Sequence, residues 1–303
     1  MERREFLKKT LSVGLGAGAL LLPKGLRTGK ARAEDSPPDL VALRGGSPAA
    51  MFDRGIAALG GIGRFVKSGQ TVVVKPNMSW DVAESAAANT SPELVARVIK
   101  HCLDAGARRV LVLDHSIEYW ENSWNGSGIA AAVKAVGGVH APAESQGYYQ
   151  KIDVAGSALK STQIHESLLE CDVLVSVPVL KHHGGAGVSI SIKNLMGCVW
   201  NRNEYHSKGL QACIADFLNA RKPDLNVVDA YRVITRYGPR GGSREDIVTM
   251  NAQILSPDVV AADAASARML GREPSDIGHI RLAAEAGFGQ IDLTKLKIER
   301  LAV

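Results

Sequence analysis

The chain has 303 residues, 46% hydrophobic and 22% charged, an ordinary globular composition with apolar material for one large domain or two modest ones. Its formal charge of +5 belongs to the first residues: positions 1–33 hold eight of the 36 Lys and Arg against two of the 31 Asp and Glu, leaving 28 basic and 29 acidic residues elsewhere. That near-neutral remainder lacks the clustered positive footprint of a nucleic-acid binder, so no nucleic-acid partner is expected.

Taken in chain order, Arg3-Arg4 before Phe6-Leu7-Lys8, an apolar Gly/Ala-rich run from Leu11 to Leu22, and Ala31-Arg32-Ala33 have the basic, apolar and small-residue regions of an export signal. The paired arginines are similar to the twin-arginine type. The apolar run is short of the roughly 20 residues that span a bilayer, so membrane contact is expected only through this segment if it is not cleaved. The predicted layout is an export signal over 1–33, a lead-in strand and helix over 34–69, and a single α/β domain over 70–303, in a protein that is periplasmic or otherwise exported.

A short strand is predicted at Leu40–Leu43 and a helix over Ala50–Leu59. Thr71–Lys75 reads as a buried strand stopped by Pro76. Ser91-Pro92-Glu93 reads as a cap and first turn, followed by an apolar stripe through Leu94, Val98 and Cys102 and a stop at Gly106. Arg109–Leu113 is the next strand, with Asp114-His115 at its carboxyl end. The rhythm continues with a helix over Ile129–Val136, a strand within Leu168–Val177 stopped by Pro178, a helix over Lys208–Asn219, a strand over Asn226–Ala230, and helices over Asp258–Leu270 and Ile277–Ala286. Short continuous apolar strands alternating with helices predict an α/β fold, a largely parallel sheet with helices on both faces.

Such sheets bind ligands at the carboxyl ends of their strands. Lys75 and Asn77 follow one strand there, and Lys181, His182 and His183 follow another, before the small-residue run Gly184-Gly185-Ala186-Gly187 that allows close backbone approach. VSISIKNLMG, residues 188–197, alternates as a half-buried strand that puts Ser189, Ser191 and Lys193 on one polar face, with Asn194 at its end. Two readings stand: an exposed edge strand whose charge blocks aggregation, or the wall of an anion site in which Lys193 neutralises a carboxylate or phosphate. His206 lies just before a helix. Lys181, His182, His183 and His206 are the acid–base candidates, the histidines because they titrate near neutral pH. Lys75, Asn77, Ser189, Ser191, Lys193, Asn194, Asp229 and Asp263 are the substrate-binding candidates. The two acids lie in apolar surroundings and could instead pair internally with lysines. Which metal or cofactor is bound, if any, stays open: His182 or His183 with His206 and Asp229 is an N/O set that first-row metals accept, but its spacing matches no recognised motif. Cys102, Cys171, Cys198 and Cys213 form no Cys-x-x-Cys pair, so there is no self-contained iron–sulfur motif, and their contexts read as four buried small hydrophobes.

VVVKPNMSW, NTSPELVARVIKHCLDAGARRVLVLD, VSVPVLKHHGGAGVSISIKNLMG, YHSKGLQACIADFLNARKPDLNVVDA and SPDVVAADAASARMLG together resemble the domain-of-unknown-function 362 family, over roughly residues 70–300. Its most specific piece is Lys-Asn-Leu-x-Gly preceded by Lys-His. The resemblance implies an association with iron–sulfur proteins, which in this chain would need a redox partner protein to supply the cluster. The expected function is an exported enzyme acting on a small anionic substrate by Lys/His acid–base chemistry, with or without metal or cofactor. The alternative is a periplasmic ligand- or metallocofactor-binding accessory protein serving that redox partner.

Overall fold

Strand β1 (Leu40–Arg44) leads into a helix, Pro48–Ala58, whose first turn is capped by the Ser47 hydroxyl accepting the Ala50 N–H. In this computed structural model the described residues are 36–241 and 243–303; the export-signal reading of residues 1–33 lies outside them. Strands β2 (Thr71–Pro76), β3 (Arg109–Val112) and β4 (Val139–His140) follow, alternating with helices Pro92–Asp104 and Ile129–Ala135. A polar two-stranded hairpin, β5 (Tyr149–Asp153) and β6 (Ser161–His165), stands apart from the main sheet. Then come β7 (Val173–Val177), β8 (Val179–His183), β9 (Gly187–Ser189), β10 (Leu225–Ile234), β11 (Ile247–Ser256) and β12 (Ile298–Ala302).

Among the described residues the main sheet has ten strands, in the order β12-β1-β11-β10-β7-β2-β3-β4, with β8 paired to β10 and β9 antiparallel to β8. Its pairings from β10 through β7, β2 and β3 to β4 are parallel, as is β12 on β1; β11 runs antiparallel to both of its neighbours. The fold is therefore α/β with a large, mostly parallel sheet, and the antiparallel β11 is its departure from the simple alternation. Both faces are covered. Val72 and Val74 pack with Phe52, Leu94, Val98 and Val110 on one side, while Val73, one residue out of phase, packs with Leu111, Leu174, Ile214 and Phe217 on the other.

Pro178 ends β7 at Val177, as expected. Its missing N–H breaks the ladder, and the chain continues as β8, which shifts register along β10 from Asp229 to Ile234. His182 and His183, expected on a loop, are thus strand residues and point to opposite sides. VSISIKNLMG corrects more sharply. Only Gly187–Ser189 is strand; Ser191–Asn194 is a helical turn, extended by a 3₁₀ turn over Leu195–Cys198. The apparent alternation straddles a strand end and a helix start. All four cysteines are free, three buried and Cys171 partly so.

Candidate functional site

The carboxyl ends of the parallel strands bring Lys75 (end of β2), Asp114 (just past β3) and Lys181 (on β8) toward one small cleft of about 50 Å³. Asn77, Ser79, Trp80, Asp114, Lys181, His183, Ser189, Lys193, Asn194 and Arg202 line it, with Ile117 and Pro239. Lys75 lies fully buried behind this lining. Its ammonium pairs with Asp114 at 2.9 Å and donates to the Pro76 carbonyl at 2.6 Å and to Asn194 Oδ1 at 3.1 Å. Asp114 also accepts the Met78 N–H at 2.7 Å and the Ser79 hydroxyl at 3.3 Å.

Two asparagines tie the lysines together. Asn194 donates Nδ2 to the Lys75 carbonyl at 3.0 Å, and Asn77 donates Nδ2 to Asn194 Oδ1 at 3.3 Å. Asn77 Oδ1 in turn accepts from Lys181 at 3.2 Å, and the Ala88 carbonyl accepts a second bond from that ammonium. Gly197 sits where this network is tightest: a Cβ there would lie 1.9 Å from Asp114 Oδ1 and 2.8 Å from Lys75 Nζ. That is the physical reason for the glycine closing Lys-Asn-Leu-Met-Gly.

The electrostatics are lopsided. Lys181, Lys193 and Arg202 line the cleft, and the one carboxylate there is already held by Lys75. Arg202 donates one N–H from each of Nη1 and Nη2 to the His115 and Ser116 carbonyls, at 2.6 and 2.8 Å, keeps its other N–H donors, and has no ion pair among the described residues. Burial, and then Arg202 and Lys75 nearby, push the Lys193 ammonium down to about 8. Burial, and then Lys193, push Lys181 down to about 7. Half-buried Lys193 has no hydrogen bond and no ion pair with any described residue.

His183 faces the cleft, but it does not titrate near neutral pH as expected. Burial, reinforced by Lys193 and Lys181, takes it down to about 3. Its Nδ1 accepts the Gly185 and Ala186 N–H groups, both at 3.1 Å, so the ring hydrogen sits on Nε2 and the cleft receives a neutral donor.

Other expected residues lie elsewhere. His182 turns away and accepts the Gly238 N–H at 3.2 Å. His206 is exposed on the helix Asn203–Lys208 and does not line the cleft. Ser191 is buried with its hydroxyl unpartnered, because the helical turn rotates it out of the face it would share with Ser189 on a strand. Asp229 and Asp263 pair with no lysine among the described residues. Asp229 accepts the Ser91 N–H at 2.8 Å and the Tyr231 N–H at 3.0 Å; Ser91 makes no side-chain cap of its own. Asp263 accepts the Ser191 and Ile192 N–H groups at 2.8 and 3.0 Å, capping the turn that carries Lys193. Burial raises Asp229 to about 6 and Asp263 to about 7. The His182/His183–His206–Asp229 set does not assemble, and no cluster of three or more His, Cys, Asp or Glu fit for a metal occurs among the described residues.

Sequence reasoning passed over Arg202, Trp80 and His279. Nothing local marks Arg202. Trp80 follows Lys75-Pro76-Asn77 closely, and adjacency to that strand end was the available signal. His279 is fully buried, with its N–H and Nδ1 both on Gln211 Oε1 and its Nε2 without a partner.

Among known proteins, the thylakoid-associated protein sll1697 of Synechocystis sp. is 26% identical over 242 residues, covering 72% of this chain and 68% of its own. Two solved structures have similar folds: the lactate racemase apoprotein from Thermoanaerobacterium thermosaccharolyticum (TM-score 0.45, 15% identity, 82% of this chain) and a Thermotoga maritima protein (TM-score 0.48, 11% identity, 79% of this chain). This chain spans 60% of the length of each of those two. Residues 72–268, which carry every side chain of the cleft, match the domain of unknown function DUF362, and the chain belongs to that family.

Proposed function

We propose that the cleft binds a small anion, a carboxylate- or phosphate-bearing substrate, and that Lys181 transfers a proton on it. The observation that carries this reading is the unspent Lys193 ammonium in a cleft with more cations than carboxylates. A partly desolvated cation without a counter-charge is stabilised when a ligand supplies the anion. Lys193 and Arg202 would hold the anionic group, and the His183 Nε2–H would bond a neutral oxygen beside it. Lys181, whose value of about 7 matches neutral pH, would take a proton from the bound substrate and return it. Export through the segment around Arg3-Arg4 is part of the proposal and rests on sequence pattern alone.

Titrating phosphate and small carboxylates into the protein, followed by tryptophan fluorescence or calorimetry, tests the reading. One saturable site per chain is expected. Lys193→Met keeps the stem and removes the charge, and should weaken binding about 10- to 100-fold, a charge-assisted hydrogen bond being worth about 1.5–3 kcal/mol. Absence of saturable binding, or equal binding by the variant, would refute the reading.

A further inference from the structure

We propose that Lys181 is a nucleophile that forms an imine with a 2-oxo acid whose carboxylate sits on Lys193 and Arg202. The proposal rests on the anion-binding part of the reading above, names its substrate class, and gives Lys181 nucleophilic attack in place of proton transfer.

The first argument counts charges around the cleft. Arg202 cannot lose its proton. Lys75 keeps Asp114 at 2.9 Å. Lys193 is half-buried and reaches solvent. Lys181 is 1% exposed and has no ion pair among the described residues; Lys193 and Lys75 repel its charge, and the Asp114 carboxylate offsets part of that. Where like charges crowd a buried site, the proton leaves the most deeply desolvated group that lacks an ion pair, and here that is Lys181. A desolvated lysine beside other cations is an activated amine.

The second argument is geometric. A neutral amine has two hydrogens, and Lys181 has two acceptors, Asn77 Oδ1 and the Ala88 carbonyl. Both hydrogens are thereby engaged, and the lone pair takes a remaining tetrahedral position on a nitrogen whose side chain lines the cleft. The Trp80 ring, its centroid 5.9 Å from Nζ, flanks the amine. Lys193, Arg202 and the His183 Nε2–H donor line the same cleft, available to a carboxylate and to the oxygen that develops charge during attack.

In the reaction, the Lys181 nitrogen bonds to the keto carbon, and the carbonyl π pair moves to oxygen. Both amine hydrogens leave with that oxygen as water, and one solvent proton charges the resulting imine. No oxidant or reductant is consumed.

The test incubates the full chain with pyruvate, adds sodium borohydride to reduce any imine to a secondary amine, and maps the product by peptide mass spectrometry. One reduced pyruvate on Lys181 is expected, with labelling that rises with pH through about 7. Lys193→Met should cut labelling at subsaturating pyruvate by about tenfold, and acetone, which lacks the carboxylate, should leave Lys181 unlabelled. Lys181→Arg, checked for folding by circular dichroism, should give no adduct. Adducts on other lysines that persist in Lys181→Arg overturn the proposal. Saturable pyruvate binding that phosphate competes away, with nothing trapped, overturns the imine and leaves the anion site standing. If neither pyruvate nor phosphate binds, the anion reading falls and the imine with it.

Discussion

Replacing Asp114 with Asn removes the one carboxylate of the cleft at almost constant volume. The Asn oxygen can still accept the Met78 N–H, held at 2.7 Å in the native site. The other limb then presents an NH₂ group to Lys75, whose ammonium is 2.9 Å from Asp114 and fully buried. At that separation, with an effective dielectric constant of about 20, the lost attraction is about 6 kcal/mol. Relaxation returns part of it, so Asp114→Asn should destabilise the protein by about 3–5 kcal/mol, the range for breaking a buried pair. At about 2–4 °C per kcal/mol for a domain of this size, the midpoint should fall by on the order of 10 °C. Urea unfolding of wild type, Asp114→Asn, Lys75→Met and the double variant gives the coupling energy. The double variant should recover at least half of the loss, because it no longer buries an uncompensated cation. A loss below about 1 kcal/mol for Asp114→Asn, or no recovery in the double variant, would show that the pair does not balance the cleft's charge.

Gly197→Ala should cost about 1–3 kcal/mol by overpacking and weaken phosphate binding, since its Cβ would lie 1.9 Å from Asp114 Oδ1; a variant with native affinity would refute the tight fit. Stability should rise between about pH 7 and 9. Lys181 and Lys193 have folded values of about 7 and 8 against a usual 10.5, so the unfolded chain holds more protons over that range. Above a usual value of 9.0 the buried thiols of Cys102 and Cys198, pushed up to about 12, oppose the trend. Below about 6.5, Asp229 and Asp263, raised to about 6 and 7, lose stability with rising pH, while His183 and His279, both lowered to about 3, gain it. Urea midpoints at pH 7 and pH 9 check the sign, and a lower midpoint at pH 9 would contradict it.

Much of this was legible in the residues. Thr71–Pro76 and Val173–Val177 declared themselves as buried parallel strands because they are apolar on both faces, and the carboxyl-end rule then pointed to Lys75, Asn77, Lys181 and His183. Strand β11 was harder to see, because its first half is polar and partly exposed and lacks a clean period. VSISIKNLMG misled because six alternating residues fit a strand as well as a strand end followed by a helical turn. What decides between them is Asp263, distant in sequence, whose carboxylate accepts two amides of that turn. Asp114 was visible at a strand end, but its ion pair with Lys75 depends on the register of β2 against β3, which sequence alone does not set. Asp229 and Asp263 looked like lysine partners because a buried acid needs compensation. Backbone amides supply it instead, and no local pattern distinguishes an amide partner from an ammonium.

Strand β1 lies between β11 and β12, and its register with β12 runs from Leu40 beside Ile298 to Arg44 beside Ala302. Both of its neighbours therefore come more than 200 residues later in the chain. During translation Leu40, Val41 and Leu43, buried in the finished protein, have no sheet partner until those distant strands have left the ribosome. Closing so distant a contact is slow relative to local structure, and an unpaired apolar strand is open to mispairing meanwhile. The nascent chain thus has a long interval in which a holding factor would matter. Loss of β12 would strip β1 of one partner, making the C-terminal strand a requirement for burying an N-terminal one.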